Sequence, residues 1–188
     1  MRWLCWLFLA CSLLTGFADA AMSGAQAVSN RRSIQNNLSD NYAVLQAYRA
    51  LHKDESTFAG TNINVTVFNN EILIAGQVPR PWQRVKASVL LKRETGITEV
   101  YNQLQVSNPT SSLTHLSDIW ITTKVKAKLI ASDDLEASLF KVVTENGTVY
   151  LMGIVPPSQA DAAVEIARET EGVSKVVRVM KYVRICRV

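Results

Sequence analysis

The sequence predicts an α/β protein of the α+β type, built from two copies of one small α-β-β-α-β domain. The main observation is a repeat: segment 61–79 reappears as segment 138–156 without a gap. Each segment contains a strand, a two-residue turn, a second strand, and then Gly, Val and Pro in the same order. Ile63, Val65 and Val67 alternate with polar residues, as in a strand with one buried face. A repeat of this length indicates one domain used twice, each with two helices on a three-stranded mixed sheet.

The first copy is predicted to cover residues 39–107. Its first helix begins at a capping Ser39-Asp40 pair and ends near His52. An Asn-Asn turn then closes the hairpin, because Asn tolerates the positive φ of a tight turn. Prolines at 79 and 81 open the second helix, Gly96 ends it, and the third strand spans Ile97–Val106. The apolar stripe of that second helix should face the sheet, and it comprises Trp82, Val85, Val89 and Leu90.

The second copy is predicted to cover residues 117–188 in the same order. Ser117-Asp118 caps a helix that ends near Ser132, and the hairpin turns at Asn146-Gly147. A Pro-Pro-Ser sequence starts the next helix, which ends at Gly172, and the last strand follows from 173 to 184. The polar segments 21–38 and 108–116 are expected to be linkers, the former flexible.

Two glycines that follow the second strand of each hairpin are expected to be structural. Gly76 and Gly153 occupy matching positions of the repeat. Glycine at such a position lets the chain turn tightly or lets a neighbouring element approach closely.

Residues 1–20 are predicted to be a secretory signal peptide. Arg2 supplies a positive start, an apolar run follows, and Ala18-x-Ala20 forms a cleavage site. The alternative is a bacterial lipoprotein signal in which Cys11 is lipidated. Cleavage after Ala20 is favoured because the apolar stretch before Cys11 is very short. We therefore expect an exported protein, with a lipid anchor at Cys11 as the less favoured arrangement.

Composition and charge exclude several classes of protein. Of 188 residues, 48% are hydrophobic and 19% charged, which excludes a disordered chain. The net charge of +4 and the pI of 9.0 suit an anionic surface such as phospholipid head groups. Nucleic acid is not an expected partner, because basic residues alternate with acidic ones and export removes it. After cleavage Cys186 is the only thiol, so no intramolecular disulfide can form.

We expect neither an enzyme nor a metal or cofactor site. The mature chain has only His52 and His115, and neither belongs to a Cys/His or Ser/His/Asp pattern. Asp133, Asp134 and Glu136 are interpreted as a solvated helix end rather than as a metal site.

The first helix of the second copy has an unusual outer side. Ile121, Val125 and Leu129 recur every four residues and should face the sheet. The opposite side should be polar, yet its residues are Trp120, Thr123, Ala127, Ile130 and Ala131, with Lys124 and Lys126 beside them. A Trp suits a boundary between apolar and wet surroundings, and neighbouring lysines suit anionic head groups.

The corresponding helix of the first copy serves as a comparison. Its outer positions are Tyr42, Leu45, Arg49, His52 and Lys53, so a polar exterior is expected there. The fold itself therefore does not require Trp120. Three interpretations remain open: Trp120 packs against the linker or the first domain, it docks on a membrane, or it docks on another envelope protein.

Six segments of the two copies form a recognisable pattern: 63–66, 76–77, 100–102, 120–125, 144–147 and 151–153. In these segments the chain resembles the BON domain, a small module of exported bacterial proteins. The resemblance implies a non-enzymatic periplasmic protein that is peripherally associated with the outer membrane and maintains its integrity. It further implies binding of anionic phospholipid of the inner leaflet through the first helix of the second domain. The residues expected to contact lipid are Trp120, Thr123, Lys124, Lys126, Ala127 and Ile130.

Overall fold

The computed structural model describes the backbone of residues 23–183 and the side chains of residues 38–183. The predictions for the signal peptide, Cys11 and Cys186 concern residues outside these ranges. Both copies of the repeat belong to one compact unit that begins at Ser39, and the chain before Ser39 is a separate unit.

The first copy contains three helices and three strands. They are α1 (Ser23–Lys53), α2 (Glu55–Phe58), β1 (Asn62–Phe68), β2 (Glu71–Val78), α3 (Pro81–Thr95) and β3 (Val100–Val106). The second copy contains α4 (Ser112–Ile130), a 3-10 turn (Ala137–Leu139), β4 (Phe140–Glu145), β5 (Thr148–Val155), α5 (Pro157–Arg168) and β6 (Lys175–Tyr182).

Each copy forms one mixed sheet, which confirms the predicted fold class. In both sheets the hairpin strands pair antiparallel, and the third strand pairs parallel to the second. The strand orders are β1-β2-β3 and β4-β5-β6. The hairpin turns have positive φ at both central residues, namely Asn69, Asn70, Asn146 and Gly147. That geometry matches the right-handed twist of the strands and explains the choice of Asn and Gly.

Both first helices begin earlier than the sequence predicts. α1 begins at Ser23 and α4 at Ser112, so much of each expected linker is helical. The helix start of α4 is capped by Ser111, whose hydroxyl accepts a hydrogen bond from the Thr114 N–H at 3.4 Å.

The two aspartates that were expected to cap these helices bind the hairpin turns instead. Asp118 is buried, and its carboxylate accepts hydrogen bonds from the N–H groups of Asn146 at 2.7 Å and Gly147 at 2.9 Å. Asp40 binds the N–H groups of Asn69 and Asn70 in the same way. The repeat thus preserves a helix-to-turn contact that ties each first helix to its hairpin.

The predicted apolar stripe of α3 is wrong for three of its four residues. Trp82, Val85 and Val89 are exposed, and of the stripe only Leu90 is buried. The buried side of α3 instead consists of Gln83, Ala87, Leu90 and Leu91. Ala87 lets the helix approach the sheet closely, and the amide of Gln83 donates to the Thr57 carbonyl at 2.8 Å and is satisfied there.

Other boundaries differ by a few residues. β3 begins at Val100 rather than Ile97, β6 begins at Lys175 rather than Val173, and α5 ends at Arg168. Gly96 ends α3 in a left-handed conformation, as predicted.

Gly76 and Gly153 lie within β2 and β5 rather than after them, at points where neighbouring backbone approaches closely. A Cβ on Gly76 would lie 2.1 Å from the Asn62 carbonyl oxygen, and Gly76 has a φ of +121°. A Cβ on Gly153 would lie 2.7 Å from the Leu139 carbonyl oxygen. These contacts support a structural role for both residues.

The compact unit has four layers in the order helices, sheet, sheet, helices. One core lies between the first sheet and the helices α1 and α3. A second core lies between the second sheet and the helices α4 and α5. A third core lies between the sheets and contains Leu73, Ala75, Val143, Tyr150, Met152 and Val179. The two copies therefore pack through the sheet faces that carry no helices.

Polar contacts close both ends of the interface between the sheets. Glu145 Oε1 accepts hydrogen bonds from Asn62 Nδ2 at 3.0 Å and from Gln77 Nε2 at 3.1 Å. At the other end Lys181 Nζ lies 2.5 Å from Glu71 Oε1. This contact with Glu71 raises the pKa of Lys181, and burial raises the pKa of Tyr150 in the same interface.

Candidate functional site

The candidate site is the outer side of α4. The inner side of this helix packs on the second sheet through Ile121, Val125 and Leu129, which are all buried, as predicted. Because those residues fix the rotation of the helix, the residues half a turn away must face solvent.

The outer side of α4 forms one continuous apolar stripe. Its spacing alternates between three and four residues, which keeps all members on one face of a helix. We call this set the α4 outer face: Leu113, Leu116, Trp120, Thr123, Ala127 and Ile130. Trp120 is 63% exposed and Ile130 is 74% exposed. At a rise of 1.5 Å per residue the stripe is about 25 Å long.

Trp120 does not pack in the interface between the two copies. That interface consists of sheet residues, whereas Trp120 lies on the outermost layer. The interpretation that Trp120 packs against the linker or the first domain is therefore wrong for the first domain.

The polar groups on and beside the α4 outer face are partly satisfied within the chain. The hydroxyl of Thr123 donates to the Ile119 carbonyl at 2.9 Å, so its polar atom is already bonded. Lys124 Nζ lies 6.0 Å from the centroid of the Trp120 ring and 3.5 Å from Glu171 Oε2. The lysine thus lies over the Trp ring at the outer limit of a cation–π contact and remains at the border of the stripe.

The charged side chains that α4 exposes all belong to lysines. Lys124, Lys126 and Lys128 follow one another along the helix, and the acidic residue Asp118 is buried against the hairpin turn. Lys128 Nζ donates to the Glu169 carbonyl at 3.1 Å, and the side chain of Lys126 is exposed. Glu171 compensates part of the charge of Lys124, so the positive charge beside the stripe comes mainly from Lys126 and Lys128.

Three apolar residues of this region escaped the sequence analysis. Leu113, Leu116 and Ile119 are exposed and extend the surface toward the start of α4. The two leucines were missed because the helix was expected to begin at Ser117. The spacing of the two leucines relative to Trp120 was the signal that could have found them.

The outer sides of α1 and α4 differ over fewer turns than predicted. On α1, Tyr42 and Leu45 are also exposed, so the first half of that exterior is not polar. The difference lies in the later turns, where Arg49 and His52 occupy the positions of Ala127 and Ile130.

Within residues 38–183, no group of three or more His, Cys, Asp or Glu side chains could hold a metal ion. Asp133, Asp134 and Glu136 are exposed in the segment after α4, and His115 lies exposed on α4 itself. Over the same described part of the chain, no helix has the length and apolar character needed to cross a bilayer.

Comparison with known proteins assigns the family. The BON domain matches this chain twice, at residues 39–108 and 117–184. The chain therefore belongs to the BON domain family, and it carries two tandem copies.

Among its relatives, outer membrane lipoprotein DolP of Haemophilus influenzae is 35% identical over 90% of both chains. A 21 kDa hemolysin of Actinobacillus pleuropneumoniae is 40% identical over 71% of this chain and 69% of the relative. Osmotically-inducible protein Y of Escherichia coli is 29% identical over 82% of this chain and 78% of the relative. The chain is thus an envelope protein of the periplasm, associated with the outer membrane.

Proposed function

We propose that this protein supports outer-membrane integrity by docking the α4 outer face on anionic phospholipid of the inner leaflet. The observation that carries the proposal is an exposed apolar stripe, about 25 Å long by helical rise, bordered by cations. The stripe belongs to a helix that is anchored in the core by its other side, so docking requires no unfolding.

The physical terms favour a peripheral, reversible contact. Each lysine near an anionic surface contributes about 1 kcal/mol, and each large apolar side chain that leaves water contributes about 1.5–3 kcal/mol. The helix would lie in the plane of the head groups, with Trp120 at the boundary between acyl chains and water. Lys126 and Lys124 would contact phosphate, and Ile130, Ala127 and Thr123 would supply apolar contact.

Co-sedimentation with liposomes tests the proposal. We expect the wild-type chain to sediment with phosphatidylglycerol-containing vesicles at low salt and much less with purely zwitterionic ones. Trp120→Glu should weaken binding by about tenfold or more, since it removes an apolar contact and adds a repelled charge. Rising salt should weaken the wild type as well, because screening reduces the lysine term.

Leu45→Glu is the matched control, because it changes an exposed residue of the corresponding helix in the first copy. It should leave sedimentation unchanged. If the wild type stays in the supernatant with anionic vesicles at low salt, the lipid proposal is wrong. A protein partner on the same α4 outer face, the alternative function, would then be the explanation for the exposed stripe.

A further inference from the structure

A second exposed apolar surface lies on the first copy, on the opposite outer layer of the molecule. A groove of about 490 Å³ runs between α3 and the edge strand β3. Its apolar lining residues are Pro81, Val85, Val89 and Val106. Trp82 is exposed one turn before Val85 on the same helix and extends this surface. We call this set, together with the lining residues Arg84 and Lys92, the α3 groove.

The floor of the α3 groove is preformed. Asn102 Nδ2 donates to the Arg84 carbonyl at 2.7 Å and lies 2.6 Å from Ser88 Oγ, which fastens β3 to α3. Because these bonds already exist within the chain, the groove would need little ordering when a ligand binds. The entropic cost of binding would therefore be small.

The edge of β3 is closed to strand addition at its centre. Asn102 Oδ1 accepts the Leu104 N–H at 3.1 Å, and Arg84 donates to the Asn102 carbonyl at 3.4 Å. These are backbone groups that an added strand would need. The α3 groove is therefore suited to the side chains of a helix that packs across it, as in helix-in-groove recognition.

The charge of the α3 groove selects among occupants. Neighbouring cations are neutralised within the chain, since Lys86 pairs with Asp54 at 2.7 Å and Arg93 pairs with Glu94 at 2.7 Å. Arg84 and Lys92 line the groove and form no ion pair among the residues that the structure describes. Its lining includes no acidic side chain. An occupant with carboxylates beside apolar residues is complementary to this surface.

A second copy of the chain is a poor occupant. In a two-fold dimer the same surface meets itself, so Arg84 and Lys92 would face their own equivalents. Docking of the groove on the α4 outer face of another copy would bring two cationic surfaces together.

The same membrane cannot cover both surfaces. The helices of the first copy and those of the second lie on opposite outer layers of the sandwich. If α4 docks on lipid as proposed above, the α3 groove points away from that bilayer. This step rests on the proposed function, whereas the charge and shape of the groove do not.

We propose that the α3 groove binds an acidic amphipathic helix of a partner protein in the periplasm. Apolar side chains of the helix would pack between Val85, Val89 and Val106. Its flanking carboxylates would pair with Arg84 and Lys92. The protein would then join a membrane surface on one side to a protein on the other.

The test uses two synthetic helical peptides of about 15–20 residues, long enough to be helical when bound. Both have leucines at the same helical spacing, and the polar positions hold Glu in one and Lys in the other. Binding to the full mature chain is measured by fluorescence anisotropy, and NMR locates the contact on valine methyl groups. We expect the Glu peptide to bind and to shift the methyls of Val85, Val89 and Val106, and the Lys peptide not to bind.

Two variants locate the contact. Val85→Glu and Lys92→Glu should each weaken binding of the Glu peptide by about tenfold, equivalent to about 1.4 kcal/mol. Both residues are exposed, so neither variant should unfold the domain, and far-ultraviolet circular dichroism checks this. Trp120→Glu should leave peptide binding intact while it weakens binding to anionic vesicles, which separates this proposal from the lipid proposal.

Four results would overturn the inference. They are equal binding of the Lys peptide, undiminished binding to Val85→Glu, loss of Glu-peptide binding in Trp120→Glu alone, and no binding of the Glu peptide at all. Clustering of vesicles by the wild type that Val85→Glu abolishes would make the groove a second lipid surface instead. Dimers in sedimentation velocity that Val85→Glu dissociates would make a second copy its occupant.

Discussion

At the scale of single residues, Asp118 and Asp40 make the same structural contact in the two copies of the repeat. Each carboxylate binds two N–H groups of a hairpin turn whose positive-φ residues leave those groups pointing at the helix. The sequence suggests a helix cap at each aspartate, because the turn that each one binds lies 28–30 residues further along the chain. Local pattern cannot reveal a partner at that separation.

We expect Asp118→Ala to lower the free energy of unfolding by about 2–3 kcal/mol. The substitution removes a charged acceptor and leaves the N–H groups of Asn146 and Gly147 without their side-chain partner. Urea denaturation followed by circular dichroism measures the change.

Asp118→Asn keeps one side-chain oxygen as acceptor and should be less destabilising than Asp118→Ala. Asp133→Ala, which removes an exposed carboxylate after α4, should leave stability within about 0.5 kcal/mol of the wild type. A stability of Asp118→Ala equal to that of Asp133→Ala would mean that the helix-to-turn contact contributes nothing.

At the scale of elements, the sequence predicts what local chemistry controls. The hairpins follow from alternating residues and from Asn and Gly in the turns, and the end of α3 follows from Gly96. The rotation of α3 does not follow, because its buried side includes Ala87 and Gln83 while Val85 and Val89 remain exposed. A prediction from hydrophobicity alone therefore selects the wrong side of α3. Close approach to the sheet favours the small Ala87, and the Thr57 carbonyl accepts a hydrogen bond from the buried Gln83.

The candidate site on α4 was predictable in its centre and not at its start. Ile121, Val125 and Leu129 set the rotation correctly, so the outer positions from Trp120 to Ile130 followed. A Ser-Asp pair that resembles a helix cap concealed the earlier turns. The true cap, Ser111, lies in a segment whose serines and proline look like a linker.

The added turns lead to a prediction for Leu116. If α4 docks along its whole outer face, Leu116→Glu should weaken binding to anionic vesicles about as strongly as Ile130→Glu, by about tenfold each. Both side chains are exposed, so the folded state should be unaffected. Co-sedimentation measures the affinity, and thermal unfolding checks the fold.

Ser132→Glu, just beyond the end of α4, provides a charge-matched control off the stripe and should retain binding. A Leu116→Glu variant that binds like the wild type would limit the contact to the turns from Trp120 onward. That outcome would support a shorter docking surface and contradict the continuous stripe.

At the scale of the whole molecule, the packing of sheet on sheet determines where the two exposed surfaces point. Alternate residues of β2 divide between two cores: Ile72 and Ile74 face α1 and α3, whereas Leu73 and Ala75 face the second sheet. This explains why β2 is apolar from Ile72 to Ala75 rather than alternating, a pattern typical of a strand buried on both faces. The sandwich holds α3 and α4 on opposite sides.

We expect Leu73→Lys to separate the two copies without unfolding either. The substitution places a charge in the core between the sheets, where an unpaired charge is strongly destabilising, but it leaves the helix-side core of the first copy intact. Far-ultraviolet circular dichroism should be retained, the single unfolding transition should split in two, and the radius of gyration from small-angle scattering should increase.

Ile74→Ala is the matched control, one residue away and on the other face of β2. It should destabilise the first copy by about 2–5 kcal/mol through a cavity, yet leave the radius of gyration unchanged. In Leu73→Lys the α4 outer face should still bind anionic vesicles, since that face belongs to the second copy alone. An unchanged radius of gyration with one cooperative transition would show that the polar contacts of Glu145 and Lys181 hold the sheets together without the apolar core.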